Sequence, residues 1–219
     1  MAGELDTLYA PKKWFFQRLG EKCADALRKN GFTVYHVATR EEAVKIILDE
    51  VPEGASVGIG GSVTVRELGL PEALKKRGHV VYDHWDPALS AAEKAKAREN
   101  QVKADVFLSS ANAITLDGTL VNTDGSGNRV GSMIFGPKIS IVVAGTNKIV
   151  SNLEHAMERI RQYAAPVNYK RLGIEVPCQG IENCADCAQK GCRVTTIIEA
   201  PPLGKEKFVV VLVGENLGY

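Results

Sequence analysis

Residues 112–134 read NAITLDGTLVNTDGSGNRVGSMI, a stretch in which strand-forming residues, tight turns and polar side chains follow one another closely. Asp117 and Gly118 lie between two short apolar runs, and Asp-Gly tolerates the positive φ that a two-residue hairpin turn requires. The sequence DGSGNR at 124–129 then interrupts the apolar pattern before Val130 and Ile134 resume it with helical spacing. We therefore predict a hairpin, a glycine-rich loop and a helix, in that order.

The glycine-rich loop at 124–129 is a candidate anion site. Glycine lets the backbone approach a ligand closely, and a helix that follows the loop directs free N–H groups and a positive dipole end at negative charge. Arg129 adds a guanidinium suited to a forked contact. The alternative is a loop that caps a helix and binds nothing. The candidate ligand-binding residues of this stretch are Asn112, Asp124, Gly125, Ser126, Gly127, Asn128 and Arg129.

Continuous apolar runs on both sides of this stretch predict the fold. The runs SVGI at 56–59, ADVFLS at 104–109 and ISIVVA at 139–144 are typical of strands buried on both faces, and amphipathic helical segments separate them. We predict a single α/β domain over 1–219, with an open, mainly parallel sheet covered by helices on both faces, a C-terminal cysteine-rich loop and a terminal strand pair. Ligands of such sheets bind at the carboxyl ends of the strands.

A second strand-end loop, at 60–64, brings two glycines and two hydroxyls together after the run at 56–59. Its candidate ligand-binding residues are Gly60, Gly61, Ser62 and Thr64. The motif is weak, because it has neither the spaced glycines of a dinucleotide fingerprint nor the lysine of a phosphate-binding P-loop. We predict that this loop and the 124–129 loop line one pocket. His84 is the most site-like histidine, with a locally bonded loop histidine as the alternative.

Composition and charge exclude several classes. A formal charge of +1 over 219 residues offers no electrostatic footprint for nucleic acid, so no nucleic-acid partner is expected. No apolar run approaches the ~18 residues of a spanning helix, and the first residues lack a charged segment followed by an apolar one, so we expect a cytoplasmic protein without membrane insertion. Five cysteines in such a chain favour metal or redox chemistry over a disulfide framework.

Four of these cysteines form a compact quartet, Cys178-x5-Cys184-x2-Cys187-x4-Cys192. A C-x2-C pair can close on one metal through local backbone, and the outer thiolates can complete a zinc site or hold an iron–sulfur cluster. The spacing matches neither a zinc ribbon nor a ferredoxin, so the metal is left open, and reduced thiols or disulfides are the alternative. We predict a metal-binding segment at 178–192 in which the four sulfurs converge, whereas Cys23 is a buried core residue.

Four segments resemble one family: VGIGGSVTVRELGL at 57–70, ANAITLDGTLVNTDGSGNRV at 111–130, VVAGTNKIV at 142–150 and VVVLVGENLGY at 209–219. With the cysteine segment, they resemble the LUD-domain family, which includes the lactate utilisation protein C type. The resemblance implies a fold related to ribose-5-phosphate isomerases and CoA transferases, and a role beside oxidative lactate use with iron–sulfur partner subunits. Val121, Asn122 and Thr123 stand where the isomerases have a lysine, which argues against isomerase activity.

Two classes of function follow. The first is an accessory ligand-binding or electron-transfer component of lactate or 2-hydroxy-acid oxidation, with a pocket for a small phosphate- or CoA-type anion and a cysteine-bound metal. The second is an independent enzyme of CoA-transferase-like or sugar-phosphate chemistry, with Glu67 or Asp124 as nucleophile or base and Asn128 and Arg129 at the oxyanion. The absence of a paired His or Lys at these motifs argues against the enzyme. Catalytic residues and a homo-oligomeric state are left open.

Overall fold

The computed structural model describes residues 2–180, 184, 187 and 191–219. Its strands are β1 (Thr33–Val37), β2 (Val57–Ile59), β3 (Val81–Asp83), β4 (Val106–Ser109), β5 (Ala113–Thr115), β6 (Leu120–Asp124), β7 (Ile139–Gly145), β8 (Ile149–Val150), β9 (Val194–Ile198) and β10 (Lys207–Val213). Its α-helices are α1 (Ala2–Lys29), α2 (Arg40–Glu50), α3 (Val63–Glu67), α4 (Leu70–Lys76), α5 (Ala91–Gln101), α6 (Asn128–Ile134), α7 (Leu153–Arg159) and α8 (Ala165–Leu172). A π-helical turn at Ile160–Ala164 joins α7 to α8, and 3-10 turns lie at Thr146–Lys148 and Pro177–Gly180.

Side-chain caps fix the starts of α2 and α5. Thr39 Oγ1 accepts a hydrogen bond from the Glu42 N–H, and the Glu42 carboxylate accepts one from the Thr39 N–H, which is the reciprocal capping box. Ser90 and Glu93 make the same pair of bonds at α5. These reciprocal bonds satisfy N–H groups that the first turns of α2 and α5 would otherwise leave without partners.

A six-stranded sheet in the order β1-β10-β7-β4-β2-β3 forms the centre of the described part, and every neighbouring pair in it is parallel. Alternate residues of β7 pack into two different hydrophobic clusters. Ile141 packs in the cluster that includes Ile47 of α2, whereas Val142 packs in the cluster that includes Leu27 of α1 and Met133 of α6. Helices thus cover both faces, and the predicted α/β class with a parallel sheet and central strands at β2, β4 and β7 is confirmed.

A smaller sheet in the order β8-β5-β6-β9 lies beside the first. The predicted hairpin joins β5 to β6 in antiparallel fashion, and Gly118 takes a φ of +84° at its turn. The C-terminal strands are both present but do not pair with each other. Strand β9 extends the small sheet beside β6, whereas β10 inserts between β1 and β7 of the parallel sheet.

Candidate functional site: a cation-rich cavity at the strand ends

Because β2, β3, β4 and β7 run parallel, the loops that follow them meet at one edge of the sheet. These loops, together with α8 and the 124–129 loop, enclose a cavity of about 240 Å³, which we name the cation-rich cavity. Its ionisable wall residues are His84, Arg98, Asp124, Arg129, Lys148, Tyr169, Arg171, Cys192 and Tyr219. A space of this size suits a small anion or the charged end of a larger ligand.

Both predicted glycine-containing loops contribute to this one cavity. The predicted residues that line it are Gly61, Ser62, Thr64, Asn112, Asp124, Gly125, Ser126, Asn128 and Arg129. Two predicted glycines lie behind the wall. A Cβ on Gly60 would lie 2.9 Å from Phe107 and Ser109, and Gly127 caps the start of α6 with a φ of +79°. The shared cavity is thus observed, while ligand binding by each residue stays a prediction.

The guanidinium of Arg129 is held by the protein itself. It donates to Asn122 Oδ1 at 2.6 Å, to Asn112 Oδ1 at 2.9 Å and to the Thr123 carbonyl at 2.9 Å. It also pairs with Asp124 Oδ1 at 2.6 Å, with both side chains nearly buried. Arg129 therefore organises the loop and adds positive charge to the cavity, rather than offering a free fork to a ligand.

The carboxylate of Asp124 is also held by groups of the protein itself. Its Oδ2 accepts hydrogen bonds from the N–H groups of Arg129 and Val130, both at 3.0 Å, and so caps the first turn of α6 from outside the helix. Its other oxygen pairs with the Arg129 guanidinium. The other carboxylate considered for catalysis, Glu67, is exposed and accepts a bond from the Gly218 N–H at 2.7 Å. Neither carboxylate is placed as a nucleophile at the cavity.

Lys148 is the wall residue that the sequence motifs did not single out as a candidate. It ends the 3-10 turn after β7, is 2% exposed, and donates from Nζ to Thr64 Oγ1 and to Ser110 Oγ, each at 2.9 Å. Among the described residues, no carboxylate lies within ion-pair distance of its Nζ. Burial, followed by the charges of Arg159 and Arg129, lowers the pKa of Lys148 to about 7, and Glu67 partly opposes this shift.

A lysine at this place carries a signal that can be found in sequence. Lys148 belongs to the strand-end segment GTNK, which follows the apolar run of β7. Its partners, however, are 84 and 38 residues away in the chain. The expectation that no lysine attends these motifs is therefore corrected by the fold, which places the Lys148 amine between the 60–64 loop and the end of β4.

His84 lies in the cavity wall with an uncharged ring. Its Nδ1 is 2.9 Å from Gln101 Nε2, an arrangement in which the amide donates and the proton of the imidazole is on Nε2. Burial and the charge of Arg98 lower the pKa of His84 to about 4, although Asp83 raises it. The loop of His84 thus borders the cavity, and the residue enters it as a neutral polar group.

Two further arginines add charge at the mouth. The Arg171 guanidinium lies over the Trp85 ring, 4.2 Å from its centroid, and donates to Tyr219 Oη at 2.8 Å. Arg98 is exposed, and its side chain makes no hydrogen bond or ion pair within the described part of the chain. Among described wall residues, Arg98, Arg129, Lys148 and Arg171 thus face a single carboxylate, Asp124, which Arg129 already engages.

All four cysteines of the quartet line a second cavity, the cysteine cavity. The spacer residues 181–183, 185–186 and 188–190 lie outside the described part of the chain. Among the described residues, no group of three or more His, Cys, Asp or Glu side chains has metal-binding geometry, so the predicted convergence of the four sulfurs is not observed. The thiols that share this cavity are of the ligand type that zinc and iron–sulfur clusters use. Metal binding stays a prediction.

Cys23 is separate from the quartet, as predicted. It packs in the core formed by α1 and the parallel sheet and is fully buried. Burial and the charge of Asp117 raise the pKa of the Cys23 thiol to about 12, which keeps it protonated.

Tyr169, Gly191 and Cys192 line both cavities and so form a shared wall. The fit at this wall is tight, because a Cβ on Gly191 would lie 1.7 Å from Tyr169 Oη. The Arg193 N–H donates to the Asp124 carbonyl at 2.9 Å, which ties the residues after the quartet to the glycine-rich loop. The cysteine cavity and the cation-rich cavity are therefore in direct structural contact.

The fold and the site define an α/β protein with a positively charged strand-end cavity beside a second cavity lined by four thiols. Residues 20–213 match the family model described as LUD domain. A solved structure, the crystal structure of a duf162 family protein from Deinococcus radiodurans, is similar with a TM-score of 0.53 and 16% identity over 90% of this chain and 98% of that chain. No curated protein matches.

This chain belongs to the LUD-domain family, which is related to lactate utilisation proteins. The likeness to the Deinococcus protein agrees with the α/β fold and its six-stranded parallel sheet. None of the helices in the described ranges combines the length and the apolar character needed to cross a membrane.

Proposed function

We propose that this protein is an accessory component of lactate or other 2-hydroxy-acid oxidation that binds a small anion in the cation-rich cavity. The observation that supports the proposal is the charge imbalance of the described cavity wall, in which three cations remain without a carboxylate partner. The family relation supplies the metabolic setting.

An unbalanced positive wall favours an anionic ligand for a simple reason. Charges held at fixed positions in a partly water-excluded cavity repel one another, and a bound carboxylate or phosphate relieves that repulsion. Burial is the largest cause of the lowered pKa of Lys148, and repulsion by Arg159 and Arg129 adds to it, since both act against its protonation. Arg98 and Arg171 at the mouth provide planar guanidinium groups, which match the oxygens of carboxylate or phosphate.

Calorimetric titration with inorganic phosphate, lactate and CoA tests the anion site. We expect Arg98→Gln to weaken binding of the accepted anion by about tenfold to a hundredfold, because a charged hydrogen bond contributes roughly 1.5–3 kcal/mol. The control is Arg77→Gln, since Arg77 is a surface cation that contacts Asp49 and the Leu48 carbonyl far from the cavity wall. Absence of heat with all three anions, or equal loss in both variants, would refute the site.

The proposal extends to the cysteine cavity, where Cys178, Cys184, Cys187 and Cys192 would hold the metal. An iron–sulfur cluster would supply one-electron transfer to the iron–sulfur subunits of the oxidation system, whereas zinc would only order the segment. What supports this part is that all four thiols face one cavity and that this cavity adjoins the anion site.

Anaerobic purification followed by metal analysis and a visible spectrum tests the metal site. We expect stoichiometric iron or zinc in the wild-type protein and its loss in Cys184→Ser and Cys187→Ser. The matched control is Cys23→Ser, because Cys23 is a core thiol outside the quartet and its replacement should leave the metal content unchanged. A metal-free wild-type protein would overturn this part and leave the anion site standing.

The independent-enzyme hypothesis has less support. It requires Glu67 or Asp124 to attack a ligand, and each carboxylate is committed to the protein's own N–H groups. The described cavity offers one amine, that of Lys148, as its alternative nucleophile.

A further inference from the structure

We infer that Lys148 forms a covalent, reversible imine with a 2-oxo acid bound in the cation-rich cavity. This inference rests on the proposed function in one respect, namely that the cations of the cavity hold the carboxylate of the ligand. It goes beyond that function because it assigns a nucleophile and a substrate class, the acids with a carbonyl carbon next to the carboxylate.

The position of the amine is the first support. Lys148 Nζ lies in the cavity wall, held between Thr64 Oγ1 and Ser110 Oγ. These two hydroxyls donate onward to the carbonyls of Leu217 and Ala111, so they accept from the lysine. A lysine nitrogen has more bonding capacity than these two contacts use. The amine is thus fixed in place with capacity left for a ligand.

The electrostatic setting is the second support. A buried lysine usually pairs with a carboxylate, whereas here its charged neighbours are Arg129 and Arg159, with Glu67 as the opposing charge. A desolvated lysine beside other cations loses its proton readily, and the free amine is the form that attacks carbonyl groups. The pKa of about 7 leaves a large share of the amine neutral at physiological pH.

The ligand class follows from the combination of groups. A nucleophilic amine selects a carbonyl, and the surrounding arginines select a carboxylate close to it. A 2-oxo acid has both on adjacent carbons, which fits a cavity of about 240 Å³. It is also the class of product that oxidation of a 2-hydroxy acid must yield, so the inference agrees with the proposed setting.

The reaction balances without an oxidant or a reductant. The neutral Nζ attacks the C2 carbonyl carbon, a C–N bond forms, and the carbonyl electron pair moves to the oxygen, which takes the proton that nitrogen gives up. The hydroxyls of Ser110 and Thr64 are placed to relay that proton. A second proton, from solvent, allows the oxygen to leave as water, and the nitrogen lone pair forms the C=N bond of a cationic imine.

Trapping with sodium cyanoborohydride in the presence of pyruvate tests the inference on the full-length protein. Hydride reduces the C=N bond to a stable secondary amine, which intact-mass measurement detects and peptide mapping locates. We expect one adduct, at Lys148, and none when lactate replaces pyruvate, because lactate has no carbonyl. The yield should rise between pH of about 6 and about 8, as the Lys148 amine deprotonates around pH 7.

Lys205 is an internal control in the same sample. Burial lowers its pKa to about 8, yet its Nζ bonds to the Ser132 and Pro137 carbonyls and it does not line the cavity. An adduct at Lys205 or spread over exposed lysines, or no adduct, would overturn the inference. Lys148→Met should abolish labelling, and because mapping of the wild-type protein already gives the answer, the test does not depend on that variant folding.

The two proposals fail in different ways. Phosphate or lactate binding in calorimetry without a pyruvate adduct at Lys148 would refute the imine and leave the anion site intact. A pyruvate adduct at Lys148 in a protein that gives no heat with phosphate, lactate or CoA would support the imine and refute the proposed binding of those three anions.

Discussion

The cation-rich cavity and the cysteine cavity share a wall, but different interactions hold their reactive groups. In the first, the carboxyl ends of buried strands deliver the side chains, and hydrogen bonds fix them, as the bonds of Arg129 to Asn112, Asn122 and Thr123 show. In the second, the thiols come from the segment between α8 and β9, and the contacts that hold it include those of Gly191 with Tyr169 and of Arg193 with Asp124.

This difference shows which of the two sites is formed by the fold alone. The sheet pre-organises the cation-rich cavity, so changes there should act through buried charge and hydrogen bonds. The cysteine cavity depends on close packing at the shared wall and, in our proposal, on a metal. Three substitutions sharpen or break this comparison, and they follow in order of expected effect.

Asp124→Ala should have the largest effect. The substitution leaves the nearly buried Arg129 guanidinium without its carboxylate and removes the acceptor for two N–H groups of α6. Breaking one side of a buried pair costs about 3–5 kcal/mol in the free energy of unfolding. Chemical denaturation of the wild type and the variant measures this loss in the free energy of unfolding.

Asp49→Ala is the matched control for that measurement. Asp49 pairs with Arg77 at 3.4 Å, and both side chains are about half exposed. A surface pair of this kind contributes roughly 0–1 kcal/mol. Equal losses in the two variants would show that the cavity is not pre-organised by its charged network.

Gly191→Ala should have the next largest effect, and it acts on the shared wall. A Cβ there would collide with Tyr169 Oη and Cζ, at 1.7 and 2.4 Å, so the tyrosine or the segment must move. Overpacking of this kind costs about 1–3 kcal/mol. We also expect weaker anion binding in calorimetry, because Tyr169 lines both cavities.

Gly131→Ala serves as the control for the shared wall. Gly131 lies inside α6, a Cβ added there would meet nothing within 4 Å, and alanine favours the helix over glycine by roughly 0.5–1 kcal/mol. It should therefore stabilise the protein slightly. If Gly191→Ala behaves like Gly131→Ala, the two cavities are not coupled through this contact.

Much of the fold was predictable because the strong signals are local. The apolar runs that became β2, β4 and β7 are each continuous in sequence, and burial on both faces explains their composition. The direction of β2 places the 60–64 loop at the carboxyl ends of the parallel strands, whereas the 124–129 loop follows β6 of the smaller sheet and reaches the cavity through the packing of the two sheets. By contrast, the insertion of β10 between β1 and β7 is a choice among long-range pairings that no local pattern specifies.

The parts of the site that the sequence does not predict also depend on long-range contacts. The contact between Arg171 and Trp85 joins residues from distant segments, and so do the bonds of Lys148 to Thr64 and Ser110. A strand-end lysine can be recognised in sequence, but its burial without a carboxylate cannot. Conversely, the sequence predicts that the Arg129 guanidinium contacts a ligand, but in the structure it donates its hydrogen bonds to the surrounding loop. The glycine content of the loop does not predict these bonds.

Lys148→Met should have the smallest net effect at neutral pH, but a distinctive pH dependence. The folded-state pKa of Lys148 is about 7, below its ordinary value of 10.5, so the burial penalty acts fully below pH 7. Between these values the unfolded chain binds more protons than the folded one, and the stability contributed by this group rises with pH. Removing the amine relieves the penalty but loses its bonds to Thr64 and Ser110, each worth roughly 1 kcal/mol.

Urea unfolding at several pH values should therefore show the Lys148→Met variant becoming less stable relative to the wild type as pH increases above 7. The control is Lys75→Met, at an exposed lysine. If the difference in unfolding free energy between Lys148→Met and the wild type stays constant with pH, Lys148 keeps its proton in the folded protein. The cation-rich cavity would then not be strained by its buried charge, and the contrast drawn with the cysteine cavity would be wrong.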